Sequence, residues 1–260
     1  MISVLLNVAP DDGNESRIQA ALALVKVHGG HITCVQTVSV VPPPADPNAS
    51  ASEAEGLLEM EQAAREFQKT VEAGLAGQGA NWSWLRFYGD PATILVERSR
   101  FADVVVMSAD DSVPPIASVA LHTRTPVLAV RQRDPHFIPE RPALVAWNGS
   151  VPAANAVHGA MPMFHAMQPV HVLSIDENGS DLPASLVQEY LVEHQVDSEV
   201  HWRASDGEPV SDTILKFADE MGTGMIVAGA FGHNRLREML LGSATRELLE
   251  KSSRPLLLSH

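Results

Sequence analysis

Apolar positions along this chain alternate between two rhythms. Short continuous runs rich in Val, Ile and Leu read as strands buried on both faces. Between them, apolar residues return every three or four positions, as in amphipathic helices. Ile2 to Val8 is such a run and closes at Pro10-Asp-Asp-Gly, a turn. Arg17 to His28 places Ile18, Ala21, Leu22 and Val25 on one helical face, and Gly29-Gly30 stops it. His31 to Val40 reads as the second strand, followed by a proline-rich loop at 41–47. Helical spacing returns from about Ser52 to Leu75, with Leu57, Leu58, Phe67 and Val71 on its stripe. Asn81 to Tyr88 is a third strand. Gly89-Asp-Pro then opens a helix that turns Ile94, Leu95 and Phe101 inward. Asp103 to Ser108 and Pro126 to Val130 complete a set of five strands.

Beyond a charged, proline-rich linker at 131–142 the order starts again. Ala143 to Trp147 is a strand. Pro152 suits the first turn of a helix running to about Met167, and Pro162 should kink it. Val170 to Ile175 is a strand, and Pro183 to Gln195 a helix with Leu186, Tyr190 and Leu191 inward. Ser198 to Arg203, Met225 to Gly229 and Pro255 to Ser259 are the remaining strands, with a helix from Gly207-Glu-Pro to Met221. The two passes correspond. Tyr88-Gly89-Asp90-Pro91 answers Asp206-Gly207-Glu208-Pro209, and Thr125-Pro126-Val-Leu-Ala-Val answers Arg254-Pro255-Leu-Leu-Leu-Ser. An internal duplication of one α/β unit is predicted, with halves at 1–138 and 139–260. Each half should be a doubly wound, parallel, five-stranded sheet covered by helices on both faces.

Composition narrows the partners. The chain has 260 residues, 45% of them hydrophobic, enough for a substantial core. A formal net charge of -14 opposes nucleic acid and anionic membrane, so neither is expected as a partner. An anionic ligand would need local donors. The single cysteine, Cys34, lies in an apolar stretch and reads as a small core residue, which fits a reducing compartment. Met1 leads straight into a strand without a basic region, and no apolar run reaches the length of a membrane span. A cytoplasmic location is expected. The eleven histidines show no local zinc spacing, so no metal ligands are assigned. His158 and His165 share a helix face and read as packing or surface, and Trp82 and Trp84 read as a core or interface contact.

Candidate chemistry concentrates at residues 225–249. A buried strand ends at Gly229, Gly232 follows after two residues, and nine more residues lead to Gly242-Ser243. Glycine allows close backbone approach to a ligand. A helix beginning at Gly242-Ser243 would aim its unpaired N–H groups into the same space, which suits a phosphate. This Gly-x2-Gly-x9-Gly-Ser pattern, set between a buried strand and a final helix and strand, resembles the universal stress protein family. The resemblance covers essentially all of 143–260. In the first half it extends to strand order and the Gly-Asp-Pro helix start, but not to the glycine motif.

The resemblance implies a tandem architecture with strand order 3-2-1-4-5 in each half. It also implies ATP, or the related ADP or AMP, as ligand, with Mg²⁺ as accompanying ion. Carried over, the phosphates meet the N–H groups of Gly229, Gly232, Gly242, Ser243 and Ala244. The hydroxyls of Ser243 and, more weakly, Thr245 add to these. Arg235, Arg237 and Arg246 lie nearby, although each has a glutamate close by and a solvated surface is the alternative. The family's acid at the end of the first strand is here Asn148, which still donates and accepts. Ser174, on the next strand, joins the implied set. In the first half the loop reads Ser108-Ala-Asp-Asp-Ser-Val-Pro-Pro, without glycine and with two acids, so that half should have lost the site. Family members pair through their last strands. The same pairing is expected inside this chain, between Val127–Val130 and Leu256–Ser259, alongside homodimerisation of whole chains. The expected function is a stress-response module governed by nucleotide occupancy of its second half. A slow ATPase, with Asp176 and Glu177 as the nearest carboxylates, and a ligand-free interaction scaffold are the alternatives.

Overall fold

The computed structural model describes residues 1–38, 51–110, 115–132, 137–175, 182–230 and 243–260, with 51–55 described by backbone alone. The first half runs β1 (Ile2–Val8), α1 (Asn14–His28), β2 (Gly30–Val38), α2 (Ala51–Leu75), β3 (Asn81–Tyr88), α3 (Pro91–Arg98), β4 (Val104–Ser108), α4 (Ile116–Ala120) and β5 (Val127–Val130). The second runs β6 (Ala143–Trp147), α5 (Val151–Phe164), β7 (Val170–Ile175), α6 (Ala184–Glu193), β8 (Ser198–Arg203), α7 (Val210–Glu220), β9 (Met225–Gly229), α8 (Ser243–Lys251) and β10 (Leu256–Ser259). The duplication read from sequence is thus matched strand for strand.

The ten strands form one sheet, in the order β3-β2-β1-β4-β5-β10-β9-β6-β7-β8. Within each half the order is 3-2-1-4-5 and every pairing is parallel. The halves join through one antiparallel pair, β5 with β10, in which Leu128 faces Leu257. This is the internal pairing expected from the sequence. Two apolar layers sandwich the sheet. One is built on α1, α2, α5 and α6, with Ile18, Leu24, Val71, Phe164 and Leu191 at its centre. The other lies under α3, α4, α7 and α8, with Leu95, Val119, Phe217 and Leu248. Each layer runs through both halves, so burial on both faces explains why the central strands read as unbroken apolar runs.

Local chemistry fixes the helix starts. Asp90 caps α3, its Oδ2 accepting from Thr93 N at 2.8 Å, and Pro91 occupies the first turn. Ser150 caps α5, accepting from Ala153 N at 3.3 Å. The counterpart of Asp90, Glu208, makes no such cap and instead meets Lys216 Nζ at 2.5 Å. The extra methylene of Glu carries its carboxylate outward to the helix surface. Pro162 lies inside α5, as expected.

Four inward positions differ from the sequence reading. Leu57 and Leu58 on α2 are exposed, because that helix meets the sheet only from Ala64 onward. Phe101 is 94% exposed. The helical phase ends at Arg98, and a tighter turn at Ser99–Phe101 rotates the ring outward. Leu186 is exposed because α6 buries Ala184, Val187 and Leu191 instead. Cys34 is fully buried, and burial, reinforced by Glu72, pushes its thiol up to about 12. Trp82 and Trp84 pack on the α2 layer, with Trp84 edge-on to Phe67 at 6.5 Å. Among the described residues, no helix is long and apolar enough to cross a membrane.

Candidate functional site

Strands β6 and β9 are neighbours, and the chain leaves them toward opposite faces of the sheet. β6 feeds α5 on one face and β9 leads to α8 on the other. Such divergence opens a crevice at the carboxyl ends of the strands. Here it forms a cavity of ≈ 390 Å³. Leu173 and Ile175 from β7 and Ile214 from α7 give it apolar walls, and the first turn of α8 closes another side. Asn148, Gly229, Ser243, Ala244 and Thr245, all singled out from sequence, line this one space.

Each of these residues has a local reason for its place. Asn148 is exposed just past β6. Its Oδ1 accepts from Ser150 N at 3.2 Å and from Ser150 Oγ at 2.7 Å. The oxygen is therefore committed to the turn that caps α5, while the exposed Nδ2 remains a donor. Gly229 is dictated by packing. A Cβ there would lie 2.6 Å from Ala153 N and 2.8 Å from Pro152 C, so the start of α5 rests directly on the end of β9. Thr245 donates its hydroxyl to Gly229 O at 3.3 Å, tying the first turn of α8 to the same strand end. That makes it a positioning residue, and it is buried. Ser243 and Ala244 open α8, where backbone N–H groups have no intrahelical acceptor.

Ser174 departs from expectation. It is buried on the sheet face opposite Leu173 and Ile175 and does not line the cavity. Gly232, Arg235, Arg237, Gly242, Asp176 and Glu177 lie outside the described residues.

Residues 140–260 match the family model described as universal stress protein family. The second half of the chain is a universal stress protein domain. A curated universal stress protein of Methanocaldococcus jannaschii is 39% identical over 46 residues, which span 18% of this chain and 28% of that relative's length. The fold of the whole chain is similar to a crystal structure of a universal stress protein from Archaeoglobus fulgidus, with TM-score 0.77 at 18% identity, covering 99% of this chain and 96% of that one. A functionally unknown protein from Pseudomonas aeruginosa gives TM-score 0.60 at 14% identity, covering 100% of this chain and 92% of that one. At such identities the likeness concerns the fold.

Within the universal stress protein domain, the wall also holds a carboxylate that sequence reasoning missed. Glu247 lines the cavity from α8 and accepts from Ser211 Oγ at 2.5 Å and from Lys251 Nζ at 3.3 Å. The Ser211 hydroxyl, then Lys251, hold its carboxyl below the usual glutamate value, so it stays ionised at neutral pH. A signal was present: Glu247 follows Ser243 by four residues, one turn along the same helix face.

The first half treats the corresponding strand ends differently, on the face covered by α1. Between the ends of β1 and β4 lies the fully buried side chain of Arg17. Its guanidinium binds Asp11 Oδ1 at 2.9 Å and Oδ2 at 3.1 Å, Asn7 O at 2.9 Å, and the Ser108 hydroxyl. The packing roles are exchanged as well. In the domain, Gly229 ends the strand beneath a helix start bearing Pro152. In the first half, Ser108 ends the strand, and the helix start carries Gly13, whose Cβ would lie 2.5 Å from Ser108 Oγ. Asp110 is occupied too, accepting from Gln132 N at 3.0 Å. Asp111 lies outside the described residues.

Proposed function

We propose that the second half of the chain binds an adenine nucleotide, ATP or one of its hydrolysis products, and that occupancy regulates what the protein contacts. One observation carries this reading: Asn148, Gly229 and the first turn of α8 converge on a single cavity at the strand switch point. The fit is physical. A volume of ≈ 390 Å³ lies within the range of small-molecule sites. The apolar wall of Leu173, Ile175 and Ile214 suits a base. The exposed Nδ2 of Asn148 is a donor for base or ribose. The N–H groups at Ser243 and Ala244 offer an anion site in an otherwise acidic molecule. Gly232, Gly242 and Arg235 extend that phosphate side by sequence. Mg²⁺ would accompany the phosphates, since Glu247, the one carboxylate among the described wall residues, is already bound by Ser211 and Lys251. That same commitment leaves Glu247 poorly placed as a general base and favours binding over turnover.

The test is Ala244→Glu. Residue 244 lies in the first turn of α8, where an acid is compatible with the helix dipole, so the fold is expected to persist. The new carboxylate would stand among the proposed phosphate donors. Calorimetry with ATP should show binding to the parent and at least about a tenfold loss in the variant. If the parent takes up neither ATP nor ADP, the reading fails and the scaffold alternative stands.

A further inference from the structure

Beyond the cavity, the sheet gathers three metal-ligating side chains that no local sequence spacing announces. His171 on β7 stands opposite Glu199 on the edge strand β8, and His201 follows Glu199 by two residues. Strand alternation sends all three to one face of the sheet. Nδ1 of His171 lies 3.2 Å from Nε2 of His201. Oε2 of Glu199 lies 3.5 Å from each of these nitrogens. Three atoms at these separations share a centre about 2.0 Å from each, close to the length of a zinc–nitrogen or zinc–carboxylate bond.

We propose that His171, Glu199 and His201 form a binding site for a divalent first-row transition metal of the zinc type. The donor set decides the class. Two imidazoles and one carboxylate suit Zn²⁺ and its neighbours, whereas Mg²⁺ and Ca²⁺ take oxygen ligands. Graded burial gives the site a floor and an opening. The His171 side chain is 4% exposed, that of His201 21% and that of Glu199 56%. A fourth position therefore faces solvent, open to water or a further ligand.

The surroundings hold the rings in place. Phe217 of α7 packs against both, with its centroid 4.9 Å from the His201 ring and 6.3 Å from the His171 ring. Arg203, two residues beyond His201, stacks on Phe217 at 5.0 Å and pairs with Glu220 at 3.6 Å, which offsets its charge. A bound ion would cross-link the outermost strand to its neighbour and clamp both under α7. Leu173, the register partner of His201, lines the nucleotide cavity, so the two places are adjacent on one face. The metal site stands on its own geometry and does not require that the cavity bind a nucleotide.

The experiment uses the full chain, stripped of metal by chelator dialysis and free of nucleotide. Co²⁺ is titrated by visible absorbance, and Zn²⁺ is then measured by competition. One equivalent is expected, with the intense absorption of a four-coordinate site. Glu199→Gln and His201→Gln should each weaken Zn²⁺ affinity at least about tenfold while leaving the metal-free far-UV spectrum unchanged. Zn²⁺ should raise the melting temperature of the parent more than that of either variant. The control His194→Gln, just past the end of α6, should bind like the parent. The proposal is overturned if the parent takes up no Zn²⁺, or if both ligand variants bind it as tightly as the parent. The latter result would assign the ion to other histidines.

Discussion

At the residue scale, buried polar groups mark where the two halves have diverged. Arg17 is the largest fully buried side chain, and it is satisfied by Asp11, by main-chain oxygens and by Ser108. Sequence patterning placed it at the start of a helix but gave no sign of this role, because its partners come from two different strand ends. Ser243 was legible because the motif spacing names it, and Asn148 because the family resemblance puts a polar residue at the end of the first strand. Glu247 was not, because its meaning depends on Ser211 of another helix. His28 gives a measurable consequence. Its Nε2 is buried without a hydrogen-bond partner. Burial, then the N-terminal ammonium and His165, hold its imidazole below the ordinary 6.5, with Glu140 opposing. As pH falls, the unfolded chain therefore takes up this proton before the folded chain does. The contribution of the neutral ring is complete above about pH 6.5 and is lost as pH drops below it. The urea midpoint should fall between about pH 7.5 and about pH 5.5, and His28→Phe should reduce that fall. Equal slopes for parent and variant would contradict the assignment.

At the element scale, legibility followed burial. Central strands such as β4 and β9 are covered on both faces, so their sequences are apolar throughout and unambiguous. Helices were harder at their ends. Periodicity continued through Leu57 and Phe101 although packing did not, because the pattern says nothing about where a neighbouring layer stops. The five-residue α4 left no periodic trace at all. Gly229 was identified as a site residue, yet its stronger constraint is the contact between β9 and the first turn of α5. Gly229→Ala would press a methyl against backbone atoms at 2.6 and 2.8 Å, which cannot rotate aside. A loss of about 1–3 kcal/mol is expected in chemical denaturation, together with displacement of the α5 start from the end of β9. Unchanged stability would show that α5 yields more easily than its cap and Pro152 suggest.

At the scale of the whole molecule, the seam between β5 and β10 makes two similar units into one sheet with two continuous apolar layers. Its existence was legible from the duplicated order together with the family resemblance. The His171–Glu199–His201 group was not, because it depends on the register of β7 against β8. Leu257 is fully buried at the seam opposite Leu128. Leu257→Asp would bury a carboxylate without a partner and should cost about 3 kcal/mol or more. Because the layers are shared, the loss should also reach the first half. In a Trp147→Phe, Trp202→Phe background, fluorescence of Trp82 and Trp84 should show a lowered unfolding midpoint even though the substitution lies in the second half. The seam also bears on symmetry. Two identical subunits joined edge to edge would inherit every change twice, so neither crevice could close without its twin. Covalent joining removes that restriction. One half sets a buried arginine against its strand end and the other a bare glycine, while the seam that unites them is kept. A ligand entering the cavity of the second half would therefore meet walls that the first half does not repeat residue for residue.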